Sequence, residues 1–275
     1  MIAASRVTAS LPMQSPTVLE RVVRRDRLLM ALGLAATIVL AWAYLLRAAA
    51  GMHAMASEAE MHAAMGMTDM RAWGLADWFG LFMMWAIMMI AMMLPSAAPV
   101  ILLVLGVYRR RVDPRARFAA AAFVAGYLVA WTMFSVAASA AQVGLHRATL
   151  LAPDMRLSSS VLSGVLLILV GVYQWLPIKN TCLTHCQSPL AFLTQYWREG
   201  TTGGLTLGLR HGTFCVGCCW LLMLVLFVVG VMNLLWVAVL AAFVLIEKLW
   251  RRGALFRRAA GVAAVALGIF LLTNA

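Results

Sequence analysis

WFGLFMMWAIMMIAMMLPSAAPVILLVLGVY, residues 78–108, runs from Trp78 to Tyr108 without one charged side chain. A helix rising 1.5 Å per residue crosses a hydrocarbon core about 30 Å thick with about 20 such residues. The stretch is therefore read as a membrane span. Pro95 and Pro99 interrupt it and free backbone carbonyls, which a span tolerates where neighbouring helices bury the break or where it lines a cavity.

The rest of the chain is of the same kind. It is 64% hydrophobic and 12% charged, with a mean hydropathy of +0.91, against roughly 45–50% apolar residues in a soluble domain. Apolar runs also cover about 28–46, 118–142, 157–176, 209–232, 234–249 and 256–272. Together these predict an all-α polytopic membrane helix bundle with about seven transmembrane helices. The short connections near 233 and 250 predict an antiparallel up-down-up group for the last three. No internal repeat and no nucleotide-binding glycine loop interrupts this pattern.

A net charge of +12 raises nucleic acid as a partner, but the distribution of the charge excludes it. Arg21, Arg24, Arg25 and Arg27 precede the first run. Arg109, Arg110, Arg111, Arg115 and Arg117 separate the second from the third, and Arg251, Arg252, Arg257 and Arg258 separate the sixth from the seventh. Short arginine-rich connections are the signature of orientation by the positive-inside rule. Seven spans put all three clusters on one side, with the N-terminus cytoplasmic and the C-terminus outside. Residues 1–27 then form a basic cytoplasmic tail, and 28–275 a single transmembrane helical domain. The tail has no apolar core, so the first run is read as a retained anchor.

Two regions are rich in soft ligands. The connection at about 47–77, expected outside, contains GMHAMASEAEMHAAMGMTDM at 51–70. Thioether sulfur suits Cu(I) and needs no deprotonation, which makes Met52, His53, Met55, Met61 and His62 candidate collecting ligands. The competing reading is an amphipathic surface helix whose methionines pack on the bundle or dip into the headgroups. Within the span at 78–108, steps of four put Met84, Met88 and Met92 on one stripe with Met89 and Met93 beside it. That stripe reads either as a metal track or as packing and lipid contact.

The cysteines gather elsewhere. NTCLTHCQSP at 180–189 carries Cys182, His185 and Cys186 in a connection at about 177–208 that the charges put in the cytoplasm. HGTFCVGCCW at 211–220 carries His211, Cys215, Cys218 and Cys219. In a helix His211, Cys215 and either Cys218 or Cys219 share a face, and Glu247 near the end of the sixth run returns to the same side. A carboxylate at the edge of the hydrocarbon is a functional candidate. Disulfides are disfavoured by a reducing cytoplasm and by the odd count, and the spacing is not that of a zinc ribbon. Cys182, Cys186, Cys215, Cys218, Cys219, His185, His211 and Glu247 are therefore expected to form a thiolate-rich metal site at the cytosolic rim. Cu(I) is the favoured ion, with zinc or iron as alternatives.

Two functions follow as expectations. One is Cu(I) handling: transfer, transport or chaperone-like delivery between a methionine-rich outer side and a cysteine-rich inner side, with membrane lipid and a metallochaperone or cuproenzyme as partners. The other is a membrane thiol or metal-dependent oxidoreductase acting on a lipid or quinone-like substrate. In it Cys215 and Cys218 form a redox pair at a helix start, and Glu247 or His211 moves protons.

YQWLPIKNTCLTHCQSP at 173–189, GLRHGTFCVGCCWLLM at 208–223, VMNLLW at 231–236 and EKLW at 247–250, with the methionine-rich span, resemble a bacterial family of metal-binding integral membrane proteins described as a domain of unknown function. The resemblance covers roughly 78–275. It implies metal binding and a multi-pass protein of the bacterial cytoplasmic membrane, and some members are labelled copper chaperones. The family pattern implicates Tyr173, Gln174, Pro177, Lys179, Gly212, Gly217, Trp220, Met232, Asn233 and Lys248 alongside the cysteines and Glu247. His185 and His211 have no counterpart in it.

Overall fold

A computed structural model describes residues 18–64, 74–111, 115–152, 155–250 and 253–275, with the backbone path alone for 18–23 and 52–64. The described residues form helices α1 (Val18–Ala64), α2 (Leu75–Arg110), α3 (Ala116–Arg147), α4 (Ser160–Tyr173), α5 (Pro177–Gln187), α6 (Pro189–Tyr196), α7 (Gly200–Leu224), α8 (Leu226–Val229), α9 (Leu234–Leu249) and α10 (Gly253–Thr273). The all-helical expectation holds among them.

Five segments are long and apolar enough to cross a membrane: Arg24–Gly51, Leu75–Arg110, Ala116–Arg147, Gly200–Val229 and Gly253–Thr273. The other two of the seven expected spans take different forms. The one expected at 157–176 is broken into α4 and α5, which meet at a bend of 62°. Pro177 opens α5, where a missing N–H costs nothing and a fixed φ suits the first turn. The one expected at 234–249 is α9, 16 residues or about 24 Å long, and near its end Val244, Glu247 and Lys248 are buried in the bundle while Ile246 and Leu249 are exposed.

α1 has 47 residues, which is about 70 Å of helix, so it runs well past its apolar part. The connection expected at 47–77 is helical through Ala64, and Leu75 opens the next helix. At its other end α1 meets the end of α2: Asp26 pairs with Arg109, and the Arg27 guanidinium lies where a side chain on Gly106 would go. The first two arginine clusters therefore share one end of the bundle, as the charge pattern requires.

The closest helix contact is between α3 and α7. Gly204, Gly208 and Gly212 recur once per turn on α7 and face Ala119, Phe123 and Tyr127 of α3 in the same order, so the two helices run parallel. A Cβ on Gly204 or Gly208 would overlap α3 backbone, and small residues at this spacing let helix backbones approach. α10 packs chiefly on α4 rather than on α9. Gly164 meets Gly268 and Gly171 meets Gly261 in antiparallel order. The expected grouping of the last three spans is thus superseded by a glycine-matched α4–α10 pair.

Two contacts mark the ends. Leu157 N–H donates to Phe227 O at 2.8 Å, and the Phe227 ring lies 5.4 Å from Trp85. At the opposite end Tyr108 OH donates to Arg198 O at 2.7 Å. Since Trp85 and Tyr108 are about 34 Å apart along α2, α4, α5 and α6 together carry the chain from one end to the other around the bend. The methionine stripe faces inward: Met84, Met88, Met89, Met92 and Met93 are all buried. That favours packing inside the protein over lipid contact.

Gly208→Ala is expected to destabilise the bundle by about 1–3 kcal/mol, because the added methyl must push α3 aside. Gly33→Ala, where nothing lies within 4 Å, is expected to leave stability unchanged or slightly raised. Thermal unfolding of both in detergent checks this.

Candidate metal centre

The sulfur site forms where α5 folds back along α7. Cys215, Cys218 and Cys219 lie on the inner side of α7 with no exposed surface, and Cys186 of α5 is buried against them. Cys186 interacts with Cys215 and Cys218, and Cys215 with both Cys218 and Cys219. Cys218 and Cys219 Sγ are 3.2 Å apart, and Cys218 Sγ donates to Cys215 O at 3.2 Å. Four thiols from two separate segments of sequence thus form one packed group.

Around it stands a set of polar groups. Lys248 Nζ donates to Cys215 Sγ at 2.9 Å and to Ser96 Oγ at 3.0 Å. Tyr127 OH lies 3.1 Å from the same sulfur and donates to Met93 O at 3.2 Å. Ser96 falls in the two-proline segment of α2, where its hydroxyl also donates to Met93 O. α2 stays helical through both prolines, and Ser96 and the Met93 carbonyl supply its polar groups to the bundle interior.

Beside the thiols lies a second buried polar network. Glu247 and Lys179 are both fully buried, with Nζ 2.9 Å from Oε1 and 3.0 Å from Oε2. Lys179 also donates to Gln174 Oε1 at 2.5 Å, at the α4–α5 bend, and Gln187 Nε2 donates to Glu247 O at 2.8 Å. Adjacent residues of a helix point about 100° apart. One turn of α9 therefore sends Glu247 to α5 and Lys248 to α7 and α2.

The depth of the site differs from the expectation of a cytosolic rim. Ser96 is midway between Trp85 and Tyr108 on α2, and Tyr127 is about 16 Å from the start of α3. The thiols therefore sit near the middle of the bundle. The physical reason is that α7 opens at Gly200, ahead of the apolar run, with GTTGGLTLG as its first turns. Glycines that dock on α3 take the place of the apolar residues that mark a span, and they put Cys215 about four turns inside the helix.

Among the described residues the remaining candidates make no hydrogen bond to the four thiols, although His211, one turn before Cys215, interacts electrostatically with Cys215 and Lys248. Cys182 is half-buried, and its Sγ lies 2.9 Å from where a Cβ on Gly217 would be. Tyr173 OH donates to Gly217 O from the same side. His185 stacks on Phe214 with ring centroids 4.2 Å apart, and its Nδ1 lies 2.8 Å from Thr181 O. His211 is caged by Phe123, Tyr127 and Phe192, with Nδ1 buried and unpartnered. Glu247 is engaged by Lys179. Met84, Met88 and Met92 lie in the core, while the side chains of Met52, His53, Met55, Met61 and His62 are outside the described residues. Among the described residues no three His, Cys, Asp or Glu side chains are posed around a point that holds a metal ion. The thiols touch one another instead.

Sequence reasoning missed Tyr127 and Ser96. The one visible signal for each was a polar tip in an otherwise apolar helix.

A family model described as PpoB2, copper chaperone, matches residues 82–271. The description names copper, the ion that the soft-ligand motifs favoured. No curated protein and no solved structure matches the chain.

Lys179→Met or Glu247→Leu alone is expected to cost about 3–5 kcal/mol, since each leaves a buried charge without its partner, and the double variant is expected to recover most of that loss. A double-mutant cycle of unfolding in detergent measures the coupling.

Proposed function

The chain belongs to the PpoB2 copper chaperone family, and from that premise we propose that it is a membrane-embedded carrier of Cu(I) that holds the ion among Cys186, Cys215, Cys218 and Cys219. Copper here is cargo. The observation that carries the reading is the meeting of four buried thiols from α5 and α7 in one group.

The packing of the group suits a thiophilic ion of low coordination number. Metal–sulfur bonds of about 2.3 Å set two ligand sulfurs about 3.8 Å apart across a tetrahedral angle and about 4.6 Å apart across a straight one. Cys218 and Cys219, neighbours on α7 whose sulfurs lie 3.2 Å apart, are closer than either arrangement allows and do not hold an ion between them as they stand. Thiolate selects Cu(I), and two donors suffice to hold it. A pair with Cys186 on α5 and one cysteine on α7 spans the two elements that can part, because α5 follows the bend at Gln174–Leu176. Loading then moves α5 against α7, and unloading returns the thiols to contact.

The flow of copper is read in the same way. The methionines of α2 offer neutral soft donors inside the bundle, and Met52, His53, Met55, Met61 and His62 offer a collecting surface at the far end of α1. Exchange among donors of similar softness lets the ion move without being trapped. With the arginine clusters in the cytoplasm, the chain is a bacterial inner-membrane protein. It passes copper to or from a metallochaperone or cuproenzyme.

Elemental analysis of protein purified under reducing, copper-replete conditions tests this. The expected result is about one copper per chain for the parent and for Cys182→Ser, and near-complete loss when Cys186, Cys215, Cys218 and Cys219 are all changed to serine. Iron or zinc in place of copper would overturn the assignment of the ion. Copper retained by the four-serine variant would overturn the site.

A further inference from the structure

We propose that Lys248 is the counter-charge of the sulfur site and makes it selective for a monovalent thiophilic ion bound by two thiolates. This deepens the copper reading above and rests on it.

Lys248 is 7% exposed and lies near the middle of an apolar bundle. Among the described residues its Nζ has two polar partners, Cys215 Sγ at 2.9 Å and Ser96 Oγ at 3.0 Å, and no carboxylate. The nearby carboxylate, Glu247, is engaged by Lys179. A buried ammonium that is not balanced by an opposite charge is costly, so this one marks a place where negative charge is meant to form. The atom it touches is a candidate ligand sulfur, and charge-assisted hydrogen bonds are the strong ones in a dry interior.

The charge count separates the ions. When a monovalent ion binds, two S–H bonds break, two metal–sulfur bonds form, two protons leave to solvent and no electron moves. The resulting bis-thiolate complex carries −1, and with the Lys248 ammonium the site is neutral. Zinc favours four ligands. Drawn from the four thiols, that shell carries −2 and leaves −1 buried beside one ammonium. A divalent ion on three thiolates also carries −1, so the experiment needs a divalent competitor. Deleting the ammonium reverses the count: a divalent ion on two thiolates is then the neutral complex. A lysine that merely tethered α9 to α2 and α7 would give no such reversal.

The test uses the full chain in detergent under reducing conditions. Cu(I) affinity is measured against a chromogenic Cu(I) chelator, with Ag(I) and Cd(II) as competitors and thermal unfolding recorded alongside. In the parent, Ag(I) is expected to displace Cu(I) and an equal concentration of Cd(II) is not. Lys248→Met is expected to bind Cu(I) about 100-fold more weakly and to gain Cd(II) binding relative to Cu(I), while Lys248→Arg stays within about tenfold of the parent. Unchanged Cu(I) affinity in Lys248→Met overturns the proposal and leaves the copper carrier standing. Equal loss in the arginine variant, or displacement of Cu(I) by Cd(II) in the parent, also overturns it. If Lys248→Met does not fold, the parent competition and the arginine variant still decide. A parent that takes up no Cu(I) sinks the copper reading and this inference together.

Discussion

The centre of this bundle depends on where one short helix stops. α9 is too short to reach from end to end, and its last turn leaves Glu247 and Lys248 among apolar helices rather than in water or at headgroups. Two charges at that depth are tolerable only if each finds a partner within hydrogen-bond reach. Glu247 finds Lys179 just past the bend of the broken span, and Lys248 finds a cysteine sulfur. The bend, the end of α9 and the thiol group are therefore one structural problem with one solution. In the unloaded protein each of the three keeps a buried charge beside its partner.

The thiols reach this level because α7 can press against α3. Glycines at 204, 208 and 212 remove the side chains that would hold the two backbones apart, and the same contact brings the Tyr127 hydroxyl to Cys215 Sγ. The α4–α10 contact uses matched glycines in the same way. On the proposed copper reading, close packing against α3 on one side of the sulfurs and a half-helix after a bend on the other would let a soft ion enter and leave.

Much of this was legible in the chain. Uncharged runs such as 78–108 announce spans, the arginine clusters at 21–27 and 109–117 place two ends together, and the cysteines at 186 and 215–219 are read as one site from residue type alone. The depth of the site was hidden because the apolar run of α7 ends where its glycines and threonines begin, although Gly203 is buried and Gly204 and Gly208 are buried against α3. The bend at 174–176 was hidden because 157–176 carries no charged residue and no proline, and periodicity does not report a kink. Lys248 was visible only as a neighbour of Glu247. Its direction, 100° away and toward sulfur, depends on which helices flank α9, and no local pattern encodes that. The ligand roles expected for His185 and His211 rested on helical spacing, which cannot tell a side chain facing sulfur from one facing aromatic rings.

Depth also changes what the site can do for a membrane protein. A thiol pair at the cytosolic rim would be in contact with water, where abundant soluble thiols compete for Cu(I) at every moment. At the middle of the bundle that competition is excluded by packing, and the electrostatic value of a single ammonium is larger because water screens it less. The gain is selectivity, and the consequence is that exchange requires the helices to part. On the proposed copper reading, passage of the ion would depend on how α5 moves about Gln174–Leu176, where Lys179 ties the half-helix to α9. On this view the buried Lys179–Glu247 pair contributes little net stability, as buried ion pairs commonly do, and serves to set which arrangement of α5 the unloaded protein keeps.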